Sequence, residues 1–158
     1  MDLREASGLT HLSRAELLVG APARVFAILE DPALAADLYP AFLQARLVAG
    51  PWMMREGERV KLELTFWGVA FPWHLAVEDY ERGERFVHRM VKGPLRSFSH
   101  RHLVQPAEGG QTRVVDLVSY DVGYGLLGRA FDRVVLKRDL EQALVHRNRR
   151  LAQMLGGD

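Results

Sequence analysis

The chain has no cysteine. Disulfide frameworks, thiolate metal sites, redox pairs and cysteine nucleophiles are therefore excluded. It also has almost no net charge, since 21 Lys+Arg face 20 Asp+Glu and leave +1. That excludes the broad positive field on which nucleic-acid binding relies. No apolar run approaches the roughly 18 residues of a membrane span. The N-terminal MDLREASG carries acids and no apolar stretch, so no secretory signal is read there. Low-complexity tracts and repeats at solenoid periods are missing as well. What remains is a composition 48% hydrophobic and 26% charged in 158 residues, which suits one soluble, cytoplasmic domain spanning 1–158.

The pattern along the chain divides in three. Residues 10–19 suit a strand, and Pro22 then opens a short apolar helix through Val25, Phe26, Ile28 and Leu29. Asp31-Pro32 stops it, and Leu34–Leu38 form a further turn or two, closed by Tyr39-Pro40. Residues 42–48 are extended. From Arg59 the period becomes two, with turns at Gly68, Arg82-Gly83, Gly93-Pro94 and Gly109-Gly110. This is a run of antiparallel hairpins. Trp67, Phe71 and Trp73, near one hairpin tip, are read as covering the end of the curled sheet, with a partner-contact patch as the alternative.

No proline interrupts Leu126–Leu155, and nothing breaks residues 129–155, which predicts one long helix of about seven or eight turns. Leu136, Leu140, Leu144, Leu151 and Leu155 form one apolar stripe, while Leu127, Phe131, Val134 and Val135 lie on another face. Between Arg129 and Arg150 the helix carries seven basic residues, Arg147 among them, against three acidic ones. These are read as a solvated face, because no recognition motif or stacking platform accompanies them, and no nucleic-acid partner is expected. The fold class is α+β: a curved antiparallel sheet of about seven strands, two short helices and a long C-terminal helix that together enclose a cavity.

One face of the last three strands carries His88, His100, His102, Asp116 and Tyr120, in parity with Phe86, Phe98 and Val118. Hairpin arithmetic sets His88 opposite His100 or His102, Asp116 opposite or diagonal to His102, and Tyr120 opposite or diagonal to His100. A one-residue bulge would turn part of this set outward. Four readings stay open for it. The groups satisfy one another inside the fold. They orient the carbonyl or hydroxyl of a hydrophobic ligand. Asp116 orients His102 for acid–base chemistry, which makes those two the catalytic candidates. Or the histidines hold zinc, although no metal and no cofactor is expected without a clear open-site motif.

Several local motifs carry a family resemblance. They are Ala21-Pro22-Ala23-Arg24-Val25-Phe26, Asp37-Leu38-Tyr39-Pro40, and Gly93-Pro94-Leu95 followed by Phe98-x-His100-x-His102. Next comes Gly109-Gly110-x-Thr112-x-Val114-x-Asp116-x-Val118-x-Tyr120, and Leu127-Gly128 leads into a helix with Arg147. In this order they resemble the START-like (SRPBCC) superfamily, the helix-grip fold of lipid-transfer domains, pollen-allergen-like carriers and polyketide cyclases. The likeness covers most of residues 10–155 and is strongest to the bacterial ligand-binding cyclase/dehydrase-like branch. Phe98 stands where that family often has tryptophan, and Asp121-Val122-Gly123 where it often has proline. The resemblance implies binding of a small hydrophobic molecule, such as a lipid, a polyketide-like compound or an isoprenoid. The ligand-binding residues would be Phe86, His88, Phe98, His100, His102, Asp116, Val118 and Tyr120. The alternatives are a cyclase, aromatase or dehydratase using the same cavity, and a non-catalytic partner module. A homodimer is compatible with each.

Overall fold

The computed structural model describes residues 8–156, so residues 1–7, where the secretory-signal reading falls, lie outside the described residues. Strand β1 (Thr10–Val19) leads to helices α1 (Pro22–Leu29) and α2 (Pro32–Asp37). Pro22 occupies the first turn of α1, and Val25, Phe26 and Leu29 are its buried face. Asp31 ends the connection and starts α2, its carboxylate accepting from the Ala33 and Leu34 amides at 2.9 and 3.1 Å. Strands β2 (Leu43–Ala49), β3 (Arg59–Phe66), β4 (Val69–Glu81), β5 (Arg85–Lys92), β6 (Ser97–Pro106) and β7 (Gln111–Asp121) follow. The seven strands form one antiparallel sheet in the order β1-β7-β6-β5-β4-β3-β2. This is the helix-grip arrangement.

Parity holds where the site lies. Phe86 pairs with His102, and His88 with His100. His102 pairs with Asp116, and Phe98 with Tyr120. The register shifts of the sheet fall between β2 and β3 and between β4 and β5. No bulge interrupts β5–β6–β7, so the even-numbered residues stay on the concave face.

The C-terminal helix runs without a break from Gly125 to Gly156 but is not uniform. Helix α3 (Gly125–Phe131) passes into a π-turn (Asp132–Leu136) and then α4 (Lys137–Gly156). At the π-turn the Asp132 carboxylate accepts from Thr10 Oγ1 and Tyr120 Oη, each at 2.5 Å, tying the helix to β1 and β7. Tyr120 is therefore a tether with its hydroxyl turned to the helix. Where the chain enters α3, Gly123, Tyr124 and Gly125 all adopt left-handed backbone, which glycine tolerates at two of the three positions. A Cβ at Gly128 would lie 1.8 Å from the Gly123 carbonyl, so only glycine permits this approach.

The interior splits along the sheet. Phe26, Leu29, Val77, Phe86, Leu151 and Leu155 belong to a packed core that fills one end under α1 and the last turns of α4. Toward the other end, Leu75, Phe98, Val118, Leu136 and Leu144 line a space instead of closing it. Removing the Asp132 carboxylate leaves two hydroxyls without their acceptor, at a cost of about 1–3 kcal/mol. Asp132→Ala should lower stability by that amount in urea unfolding. Combining it with Tyr120→Phe should cost less than the sum of the two single changes.

Candidate functional site: a cavity with a polar floor

The cavity has a volume of about 550 Å³, within the range of small-molecule sites. Its walls come from alternate residues of β3 and β4, such as Leu62, Leu64, Phe71 and Trp73, and from Leu136, Leu140, Ala143 and Leu144 of the helix. Trp73 and Phe71 thus belong to the wall and not to an outer patch: strand parity puts Trp73 with Leu75 and Val77, and Trp73 packs on Phe98 at 4.8 Å. Only Trp67 is outside, at 65% exposure, its indole N–H donating to Asp139 Oδ2 at 3.1 Å. Phe66 pairs with Val69, so Trp67-Gly68 is a two-residue hairpin loop with both residues left-handed. The mouth is apolar as well. Tyr124, Leu127 and Phe131 line the cavity, and Tyr124 and Leu127 remain 79% and 82% exposed.

The polar cluster separates this cavity from the packed core. At its centre Asp116, fully buried, forms an ion pair through Oδ2 with Arg147 Nη2 of α4. Its Oδ1 accepts from His100 Nε2 at 2.8 Å, and His102 Nδ1 lies 3.4 Å from it. Arg147 Nη1 is 3.3 Å from His102 Nδ1, and Arg147 also donates to Asn148 Oδ1 through Nε and Nη2. His102 stacks on Phe86 at 4.5 Å and on His100 at 3.8 Å. His102 Nε2 and Asn148 Nδ2 are buried without a protein partner.

Of the eight residues singled out in the sequence, His88, Phe98, His100 and Val118 line the cavity. Phe86, His102, Asp116 and Tyr120 are brought to the same face but lie behind the wall. Asp116 and His102, the pair expected to do acid–base work, are therefore one layer too deep to touch a ligand. The reason is geometric: parity assigns a face, whereas the pairing of Asp116 with the buried Arg147 and the stacking of His102 on Phe86 set the depth. His100 is the group through which Asp116 reaches the cavity. Tyr39, at the end of α2, also lines it and senses the charges of both Arg147 and Asp116.

Sequence reasoning missed Arg147 as a site residue and counted it on a solvated face. It is 2% exposed. A signal was present, because the stripe Leu136, Leu140, Leu144, Leu151, Leu155 skips one helical step, and residues 147 and 148 fill that step.

Burial works against the charged form throughout the cluster. It would raise the Asp116 carboxyl, but Arg147 and then the hydrogen bonds from His100 and His102 outweigh it and hold Asp116 well below the usual carboxylate range. Desolvation lowers all three histidines, His88 to about 3, with His100 and Arg147 adding to the shift on His88. At neutral pH the floor is an ionised Asp116, a charged Arg147 and neutral imidazoles. His100, His102 and Asp116 also offer three donor atoms within 4.8 Å of one another, a spacing a metal could use. Arg147 already bonds to that carboxylate and approaches His102 Nδ1, so a dication there would sit against a guanidinium.

Residues 12–156 match the family described as polyketide cyclase / dehydrase and lipid transport. The chain belongs to this family. No curated protein matches it in sequence. Several solved structures nonetheless share its fold. TTHA0849 from Thermus thermophilus superposes with a TM-score of 0.74 at 18% identity, over 94% of this chain and 98% of that one. A START superfamily protein from Mycobacterium smegmatis gives 0.70 at 12%, over 93% and 97%. The Zhui aromatase/cyclase from Streptomyces sp. R1128 gives 0.71 at 13%, over 92% and 94%. At such identities the likeness is one of fold.

The pH dependence of stability follows from these shifts. Between the unfolded histidine value of 6.5 and the folded value, about 3 for His88, the unfolded chain binds protons that the folded chain refuses. Stability is therefore complete above pH 6.5 and falls as pH drops, by up to about 1.4 kcal/mol per pH unit for each such histidine. Asp116 acts in the same direction lower down, its contribution being lost only below its unfolded value of 3.8. Melting temperature should be flat from pH 8 to 7 and fall steadily from 6.5 to 4. His88→Leu should make that fall shallower; an unchanged slope would show that His88 is not held neutral.

Proposed function

We propose that this chain binds a small hydrophobic molecule, a lipid, polyketide-like compound or isoprenoid, in the cavity between sheet and helix. The observation that carries the reading is the cavity itself, about 550 Å³ with apolar walls and a polar end at Tyr39, His88 and His100. Side chains able to fill the space are present and stand around it instead. Burying about 300 Å² of apolar ligand surface contributes roughly 7 kcal/mol before ordering costs. Affinity comes from the walls and orientation from the floor. The family description, with its lipid transport and cyclase members, supports this reading. In it the protein acts in the cytoplasm as one START-like domain over 1–158, without a cofactor, a metal or a nucleic-acid partner. Among the described residues no helix is long and apolar enough to cross a membrane. A homodimer is compatible with this reading.

An enzyme of the cyclase, aromatase or dehydratase type is the second reading. His100 favours it, since a neutral imidazole on the cavity wall backed by an ionised carboxylate is equipped to take a proton. Asp116 would then position His100, and His102 would support the stack. A protein-partner module is the third reading, and it now rests on Trp67 alone.

A fluorescent naphthalene-type probe tests the first reading. Leu62 and Val118 both line the cavity, so Leu62→Trp and Val118→Trp should each weaken probe binding by at least tenfold while the protein stays folded. Wild-type protein that takes up no probe, and carries no co-purified molecule in native mass spectrometry, would refute ligand binding. A bound molecule released chemically altered, with the change abolished in His100→Gln, would favour the enzyme.

A further inference from the structure

The floor of the cavity carries an unbalanced set of hydrogen-bonding groups. His100 uses Nε2 on Asp116 Oδ1, and His88 uses Nε2 on Met54 Sδ at 2.8 Å. An ionised carboxylate and a thioether can only accept, so in both rings Nε2 carries the hydrogen. A neutral imidazole with Nε2–H has a bare lone pair on Nδ1. Among the described residues the protein supplies no partner for the Nδ1 of His88 or His100, nor for the Tyr39 hydroxyl. None of these three is among the atoms sealed from contact, which are His102 Nε2 and Asn148 Nδ2, and their residues line the cavity. The ligand therefore meets two acceptors and one hydroxyl, which can donate or accept.

Resting on the ligand-binding reading, we propose that the cavity selects hydrophobic molecules whose polar end is a hydroxyl or phenol, and discriminates against carboxylates, ketones and ethers of the same shape. A ligand hydroxyl donates to one imidazole Nδ1 and accepts from Tyr39. A ketone or ether brings only acceptors and leaves both imidazole lone pairs unpaired. A carboxylate is worse, because it brings a charge into a buried site whose one cation is already paired. Arg147 is committed to Asp116, and both histidines are held neutral. An ammonium has donors, but it would enter beside the Arg147 guanidinium.

Three probes with one body separate these cases: trans-4-hydroxystilbene, trans-4-methoxystilbene and trans-stilbene-4-carboxylate, titrated by fluorescence at pH 7.5. The hydroxyl compound should bind about tenfold tighter than the methoxy compound, the scale of one net hydrogen bond, and the carboxylate weakest of all. His88→Leu, which removes one of the two imidazole acceptors, should cut the preference for the hydroxyl over the methoxy compound at least about twofold, and the affinity of the methoxy compound should not fall. Tyr39→Phe, which removes one oxygen and keeps the wall, should cut the preference several-fold, and circular dichroism checks that both variants fold. Equal affinity for the hydroxyl and methoxy probes, or tightest binding of the carboxylate, would overturn the proposal while leaving ligand binding intact. Binding of none of the three would overturn the ligand-binding reading and the proposal with it.

Discussion

The Arg147–Asp116 ion pair is the interaction from which the rest of the site follows. It joins the middle of α4 to the middle of β7 with both partners almost fully buried. Such a pair gains little net stability over an apolar pair of the same volume, because both charges lose their hydration. Its effect is to specify. It keeps Asp116 ionised, the ionised Asp116 orients His100 and fixes its tautomer, and His100 then offers the cavity an acceptor. It also sets the pitch of the helix over the sheet, since a guanidinium must reach one carboxylate from the fourth turn of a helix with little freedom to slide.

A second tether completes the grip. Asp132, fifteen residues before Arg147, holds the π-turn to Thr10 and Tyr120. In a helix this separation is about 22 Å. Between the two tethers the helix faces the sheet through Leu136, Leu140, Ala143 and Leu144, which line the cavity. The helix is thus held to the sheet at Asp132, at Asp139 through the Trp67 indole, and at Arg147, and it spans an apolar gap between these points. Below Arg147, Leu151 and Leu155 close onto Phe26 and Phe86, where the interior is filled. The cavity exists because the packed core and the polar floor together hold the helix away from β3 and β4 at the other end.

The strands and the succession of hairpins from β3 to β7 were legible in the sequence, because period-two alternation between glycine turns leaves few pairings open, whereas the pairing of β1 with β7 joins the two ends of the chain and left no local mark. Parity narrowed the partners within the cluster to two registers, and the structure takes the one that pairs His88 with His100 and His102 with Asp116. Depth was not legible. His100 and His102 share a face, yet one lines the cavity and the other stacks on Phe86. That distinction depends on how strongly the sheet curls and where α4 crosses it, which are long-range properties. Arg147 was hidden for the same reason, since a basic residue on a basic helix reads as solvated until its place in the leucine stripe is weighed. The π-turn left no local mark, because Asp132 draws its partners from β1 and β7. Tyr39 was quoted only as part of a helix-closing motif, and its role at the floor depends on where α2 ends against the sheet.

The central claim, that one buried pair organises helix, floor and cavity, is tested most directly by a double-mutant cycle on Asp116→Leu and Arg147→Met. Each single change leaves a buried charge alone and should cost about 3–5 kcal/mol of unfolding free energy. The double variant removes both charges and should recover most of that loss, giving a coupling of at least about 2 kcal/mol. Losses that add to within about 0.5 kcal/mol would mean that the two side chains do not act as a pair, and would contradict the account.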